Sequence, residues 1–220
     1  MRLTWYGHAA FLIETAGLRL IFDPYRSPDS GGYEPIAERA DAVIVSHIND
    51  RYHSHLGQIV PPFEVVPAML IPAGGRKVLG IPFQTLRVHE TPERLVGDEV
   101  TIVTFESEGL KVVFLGDLGH PLDGDDVGKL VGADVVLVPA GGPPTLAIEE
   151  IPPLLQAIEA RLILPMHYLT PRINLKLQPL ETFLQAFPGT PVERPGRSWV
   201  EISRGKLPKE PTIVALDHAR

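Results

Sequence analysis

The chain has 220 residues, 44% of them apolar, a formal net charge of −7 and no cysteine. That length and apolar content bury one sizeable core without a covalent staple, and the missing cysteines exclude disulfides, thiolate metal sites and thiol nucleophiles together. Acidic charge scattered along the chain offers no basic patch to a nucleic-acid backbone, and no apolar stretch reaches the length of a membrane span. The expected partner is therefore a small-molecule substrate, with neither nucleic acid nor membrane, in a cytoplasmic protein that leaves room for a homo-oligomer. Abundant proline (23 residues) and asparagine only at Asn49 and Asn174 suit a heat-adapted source, or equally a GC-rich genome.

Residues 2–6, 10–14 and 18–22 are short apolar segments separated by Gly7-His8 and Ala16-Gly17, the pattern of a strand meander. Asp23-Pro24 stops the third strand, and 27–32 is a polar loop. Residues 42–45, Ala-Val-Ile-Val, are too apolar for a strand with a wet face, and they deliver His47 to a strand end. Prolines 61, 62, 67 and 72 and Gly74-Gly75 divide 59–60, 64–70 and 77–81 into short strands and loops. Residues 85–88 read as a strand ending at His89, and 100–106 with 110–115 as a hairpin whose second strand runs into Gly116-Asp117.

Beyond the hairpin, helices and strands alternate. The pattern predicts helix 123–131, strand 134–138, helix 148–160 interrupted by Pro152-Pro153, and strand 162–164 ending in Pro165-Met166-His167. Helix 178–187 and closing strands 198–202 and 212–215 complete the chain. Hairpins in both halves and helices in the second predict mixed α/β layers in a single domain spanning 1–220.

Three imidazoles and a carboxylate, His47, Asp50, His53 and His55, follow the strand at 42–45 within ten residues. His89, Asp117 and His167 each lie just past another apolar segment. A strand end is a rigid place from which to aim a side chain, and strands ending on one edge bring such groups together. Imidazole and carboxylate suit zinc foremost, and manganese or iron also.

The stretches Tyr6-Gly7-His8-Ala9-Ala10-Phe11-Leu12-Ile13-Glu14, Asp23-Pro24, Ser46-His47, Leu115-Gly116-Asp117-Leu118-Gly119-His120, Val138-Pro139-Ala140-Gly141-Gly142 and Ile163-Leu164-Pro165-Met166-His167-Tyr168 resemble, in the same order, the metallo-β-lactamase fold superfamily. The nearest likeness is to its compact metal-dependent hydrolases, the ascorbate-phosphate lactonase-like group. This resemblance implies an α/β fold, a four-layer αββα sandwich of two mixed β-sheets flanked by helices, with a metal site on one edge. It implies one or two divalent metal ions held by His47, His89, Asp117 and His167, and a metal-activated hydroxide acting on a small ester, lactone, amide or phosphoester. His8 and Tyr168 would contact substrate, and Asp23 would fix a ligand histidine's tautomer or cap its own loop.

The chain departs from the family's His-x-His-x-Asp-His loop. In direct register from His47 it supplies Asn49, Arg51 and Tyr52 where the second His, the Asp and the last His belong. In one reading a rearranged loop brings in His53 or His55 as ligands and Asp50 as the residue that holds or deprotonates the water. In the other, the site holds one metal or none, Arg51 stands in for a cation, and the protein is a metal-poor small-molecule binding or regulatory module.

Overall fold

Period-two alternation in the first four strands decides how the chain is layered. The computed structural model describes residues 1–220, beginning with β1 (Arg2–Gly7), β2 (Ala10–Thr15), β3 (Leu18–Phe22) and β4 (Ala42–Val45). Leu3, Trp5, Phe11, Ile13, Leu20, Phe22, Ala42 and Ile44 belong to the main core, whereas Tyr6, Ala10, Leu12, Ile21, Val43 and Val45 belong to a second cluster on the opposite face. Both faces are thus apolar and both must be covered. Irregular segments that carry Tyr25, Tyr33, Ile36, Ile59, Ile173 and Leu177 cover the outer one. The outer layer of this sheet is therefore loop, where the sandwich expected from the sequence has helix.

The strands that follow are β5 (Glu64–Pro67), β6 (Arg76–Val78), β7 (Ile81–His89), β8 (Glu99–Ser107) and β9 (Leu110–Phe114). Then come α1 (Gly124–Leu130), β10 (Val135–Pro139), α2 (Ile151–Ala157), β11 (Leu162–Met166), α3 (Leu180–Gln185), β12 (Val192–Glu193), β13 (Trp199–Glu201) and β14 (Thr212–Val214). One sheet runs β13-β1-β2-β3-β4-β5 and the other β12-β14-β11-β10-β9-β8-β7-β6. Each mixes parallel and antiparallel pairs, as the sequence implied: β3 and β4 are parallel, β2 and β3 antiparallel, β9 to β11 parallel, β7 to β9 antiparallel.

Three sequence expectations are corrected. Residues 59–60 contribute only an isolated bridge between Arg39 and Val60. The strand expected at 85–88 extends back through Pro82 to Ile81. Pro152 falls in the first turn of α2, after a 3₁₀ turn at Ile148–Glu150, so the prolines open the helix and do not interrupt it. A first-turn residue needs no N–H partner, and proline fits there. Asp123 caps α1 by accepting from the Asp126 N–H at 2.9 Å. No helix is long and apolar enough to cross a membrane.

The sheets meet across aromatic rings. Phe22 of β3 lies 5.8 Å from Phe105 of β8 and 5.3 Å from Phe114 of β9, centroid to centroid, and all three are buried. Phe22 immediately precedes Asp23, so this contact also fixes where β3 ends. Replacing Phe22 by Ala is expected to cost about 3–5 kcal/mol of unfolding free energy. A urea titration with an unchanged midpoint would contradict that.

Candidate metal centre

Register carries five buried polar side chains to one edge of the sandwich, and a loop adds a sixth. Gly7 of β1 pairs with Ala10 of β2, Phe11 with Phe22 of β3, and Phe22 with Ile44 of β4, so His8, Asp23 and His47 leave the first sheet at the same end. In the second sheet Phe114 pairs with Leu137, and Val138 with Pro165, so Asp117 and His167 leave at a common end. The two ends are tied by the His8 carbonyl, which accepts from the His167 N–H at 3.0 Å and from Trp5 Nε1 at 2.9 Å.

Three of these residues hold left-handed backbone that L-residues avoid: His8 at φ 50°, Asp23 at 41° and His167 at 50°. Each costs about 1–3 kcal/mol, and such strain persists only where the surroundings over-determine it. Gly7, at φ 127°, is required for a second reason: a Cβ there would lie 2.4 Å from the Tyr33 ring.

The loop after β4 brings in His53 by a backbone device. The Asn49 carbonyl accepts from the N–H groups of Tyr52, His53 and Ser54 at 3.1, 2.8 and 3.0 Å, and the Ser54 hydroxyl accepts from Asn49 N–H at 3.0 Å. The chain therefore turns tightly around Asn49, and His53 points inward. Its Nε2 lies 2.9 Å from Asp117 Oδ2 and 3.3 Å from His8 Nε2, and His167 Nε2 lies 3.3 Å from the same Asp117 oxygen.

Asp23 sets the tautomers. Its Oδ1 accepts from Ser46 N–H at 2.7 Å, and its Oδ2 accepts from the Ser46 hydroxyl at 2.5 Å and from His53 Nδ1 at 3.1 Å. With its proton given to Asp23, Ser46 Oγ is left to accept from His47 Nδ1, 3.0 Å away. One carboxylate thus holds Nδ1–H on both histidines, directly on His53 and through Ser46 on His47, so Nε2 of His53 faces Asp117 and Nε2 of His47 is unpartnered.

Burial depresses His8 well below the usual histidine range, helped by His167 and His53, and pushes His47 down to about 4. Burial would depress His53 too, but Asp117 and Asp23 outweigh it and raise this group to about 10. For Asp117, burial favours the neutral acid, yet His167 and His53 hold it well below the usual carboxylate range. Without a metal ion the centre is an imidazolium clasped between two carboxylates.

Protons alone do not satisfy this cluster. His8 Nδ1, His47 Nε2, Asp117 Oδ1 and His167 Nδ1 are buried without a hydrogen-bond partner, a concentration that calls for a further group. Two triads can hold a cation, His8 with His53 and His167, and Asp23 with His47 and His53. Donors around a tetrahedral zinc with bonds near 2.0–2.1 Å stand roughly 3.3 Å apart, and the separations of 2.9, 3.3 and 3.3 Å match. The donor set therefore fits a divalent cation.

Of the residues singled out from the sequence, His47, His53, Asp117 and His167 come together, joined by His8, which was expected to contact substrate. Asp50 and His55 do not. The same turn that sends His53 inward sends them outward, where Asp50 pairs with His55 at 3.1 Å and with Arg26 at 2.8 Å. His89 belongs to neither triad, although its carbonyl accepts from Gly119 N–H at 2.9 Å in the loop that carries Asp117. Its ring packs against His120, centroids 5.9 Å apart. Tyr168 packs on Trp5 at 5.1 Å and is no donor to the cluster. Arg51 does not stand in for a cation, since its Nε donates to the Asp29 carbonyl at 2.7 Å and its side chain is exposed.

A family profile described as the beta-lactamase superfamily domain matches residues 2–167. A UPF0173 protein of Pyrococcus abyssi is 30% identical over 191 residues, covering 76% of this chain and 83% of its own. A UPF0173 metal-dependent hydrolase of Opitutus terrae is 29% identical over 197 residues, covering 76% and 85%. Among solved structures, a Thermotoga maritima protein assigned to the Zn-dependent hydrolases of the metallo-beta-lactamase superfamily superposes with a TM-score of 0.77 at 30% identity, covering 98% of this chain and 97% of that one.

The directions of these shifts imply a pH profile for the metal-free protein. Asp117, depressed in the fold, contributes stability that is lost as pH falls below its ordinary value of 3.8. His8 and His47, also depressed, contribute stability that is lost as pH falls below 6.5. His53, raised to about 10, contributes stability that is complete below 6.5 and lost as pH climbs toward 10. Chelator-treated protein is therefore expected to melt at its highest temperature near pH 6.5, with lower midpoints at pH 4.5 and pH 9.5. A midpoint rising steadily to pH 9.5 would refute the His53 assignment.

Proposed function

The chain belongs to the metallo-beta-lactamase superfamily, and from that premise we propose a metal-dependent hydrolase of small esters, lactones, amides or phosphoesters, with zinc as the first candidate metal. The observation that carries the reading is the Asp23 relay, which holds Nδ1 of His53 directly and of His47 through Ser46, leaving His47 Nε2 unpartnered and His53 Nε2 2.9 Å from Asp117. A carboxylate fixing the tautomer of one buried histidine is common; one fixing two beside a second carboxylate is the arrangement a ligand set needs.

His8, His53, His167 and Asp117 would hold the cation, with His47 packed against His53, ring centroids 4.3 Å apart. A divalent cation bound there supplies Lewis-acid polarisation of the scissile carbonyl or phosphoryl group and lowers the pKa of water toward neutrality. The rest is done by the chain. His53 yields its Nε2 proton to solvent when a cation takes its place, so loading is favoured as pH rises. Asp23 keeps Nδ1 protonated through that exchange, and the ring does not turn. Asp117 is held ionised by its histidine neighbours, so it offers two anionic oxygens throughout. Burial of all six groups excludes bulk water and strengthens each electrostatic contact. Tyr168, whose hydroxyl burial pushes upward, stays a neutral phenol at working pH.

Metal content of protein purified without chelator tests the reading. Wild type is expected to carry about one equivalent or more of a transition metal, and Asp117→Asn or His53→Ala less than about a tenth. Asp50→Asn is expected to match wild type. Less than about a tenth of an equivalent in wild type, unrestored by Zn²⁺ or Mn²⁺, overturns the proposal. Asp23→Asn is expected to weaken metal affinity roughly 10- to 100-fold without touching the metal, read by competition with a chromogenic chelator.

A further inference from the structure

The four most exposed large apolar side chains of the molecule are Val96 at 101%, Leu70 at 75%, Ile48 at 74% and Leu95 at 60%. All four belong to segments that meet at one place. A cavity of about 250 Å³ is lined by His47, Ile48, Met69, Glu90, Asp98 and Glu99, among others. Leu70 follows Met69 in the chain, and Leu95 and Val96 precede Gly97, which also lines the cavity. His47 links this cavity to the metal centre, since its side chain is buried there with Nε2 unpartnered. Scattered exposed leucines need no explanation; Ile48 in the cavity wall, with Leu70, Leu95 and Val96 on the segments that form the other walls, does.

The walls are charged with one sign. Glu90, Asp98 and Glu99 line the cavity, and no lysine or arginine does. Two arginines stand nearby without lining the cavity: Arg87 donates to the Met69 carbonyl at 2.7 Å, and Arg94 lies 3.1 Å from His120 Nδ1. Asp98 is held by the Thr91 hydroxyl, and Glu99 accepts from Gly97 N–H at 3.0 Å, so two of the carboxylates are fixed where the β7–β8 loop enters β8. Left-handed backbone at Arg94 and Gly97, φ 51° and 95°, bends that loop.

We infer that this cavity is the substrate entrance, and that the acidic wall and apolar rim select substrates that are apolar and uncharged or cationic next to the scissile bond. The inference rests on the hydrolase reading and narrows it: among the classes open to such an enzyme, phosphoesters and carboxylated substrates are disfavoured. An anion approaching the centre passes three carboxylates before it reaches a cation, whereas an alkyl group finds Ile48 in the wall and exposed Leu70, Leu95 and Val96 on the adjoining segments.

The test uses metal-loaded protein and two probes of equal chain length, hexyltrimethylammonium and hexanesulfonate, titrated calorimetrically at low salt. The cation is expected to bind at least about tenfold more tightly than the sulfonate. In Glu90→Gln/Glu99→Gln that ratio is expected to shrink at least about fivefold, with cation affinity falling and sulfonate affinity rising. Leu95→Ser/Val96→Ser is expected to weaken both probes. Equal or tighter binding of the sulfonate, an unchanged ratio in the glutamine variant, or no binding of either probe overturns the inference. Turnover of neutral p-nitrophenyl esters is measured alongside. Cation selectivity without turnover removes the hydrolase reading alone, and turnover without selectivity removes this inference alone.

Discussion

Asp23 is the constraint on which the site depends. It has no solvent exposure, sits in left-handed backbone at φ 41°, and follows directly on the phenylalanine that joins the two sheets. A carboxylate buried this completely is tolerable only if its oxygens are hydrogen-bonded, and here three donors supply that: Ser46 N–H, Ser46 Oγ and His53 Nδ1. All three lie in the segment after β4. The end of β3 and the loop after β4 are therefore coupled. Parallel pairing of β3 with β4 brings them side by side, and the carboxylate then dictates how the loop must turn and which face each imidazole presents. Strain at His8, Asp23 and His167 is supported by the core beneath, where Phe22, Phe105 and Phe114 lock the sheets.

Much of this was legible in the residue order, and the illegible part has one physical source. Strands read well wherever the chain had to be apolar on both faces: residues 42–45 and 134–138 are observed as β4 and β10 within a residue. His47, Asp117 and His167 were legible because each follows such a strand, so topology alone carries them to the edge. Asp23 was legible as a residue that fixes a tautomer, though not as one that fixes two. The loop from Asn49 to His55 was not legible residue by residue. Its turn is set by the Asn49 backbone carbonyl, which any residue type has, while side-chain chemistry suggested Asp50 and His55 as readily as His53. His89 does leave a strand end beside the loop that carries Asp117, and its ring is packed against His120. The loop layer over the first sheet was hidden likewise, since Tyr25, Tyr33 and Ile36 are spread through segments without a helical period.

On the proposed reading, the departure from the His-x-His-x-Asp-His pattern is a relocation and not a loss. Where that pattern takes donors from a short contiguous loop, this chain spends Asn49 on shaping the turn and draws donors from further away, His53 from the far side of the turn and His8 from the β1–β2 connection. The two outward residues, Asp50 and His55, pair with each other and with Arg26. That pairing is exposed, contributes little to stability, and tethers the loop from outside while Asp23 holds it from inside.

Whether the centre is built for a proton or for a metal ion turns on what is left over once hydrogen bonds are assigned. A purely protonic centre is coherent for His53, which can stand as an imidazolium between Asp23 and Asp117. It is not coherent for His47, whose Nδ1 serves Ser46 and whose Nε2 is left buried and unpartnered, nor for Asp117, whose second oxygen has no donor. A structural role would be met more cheaply by apolar side chains, since a half-satisfied buried polar network is worse than none. Lone pairs kept free at the cost of three strained backbone positions are what a ligand-binding site requires, and the proton on His53 is then the occupant that a cation displaces.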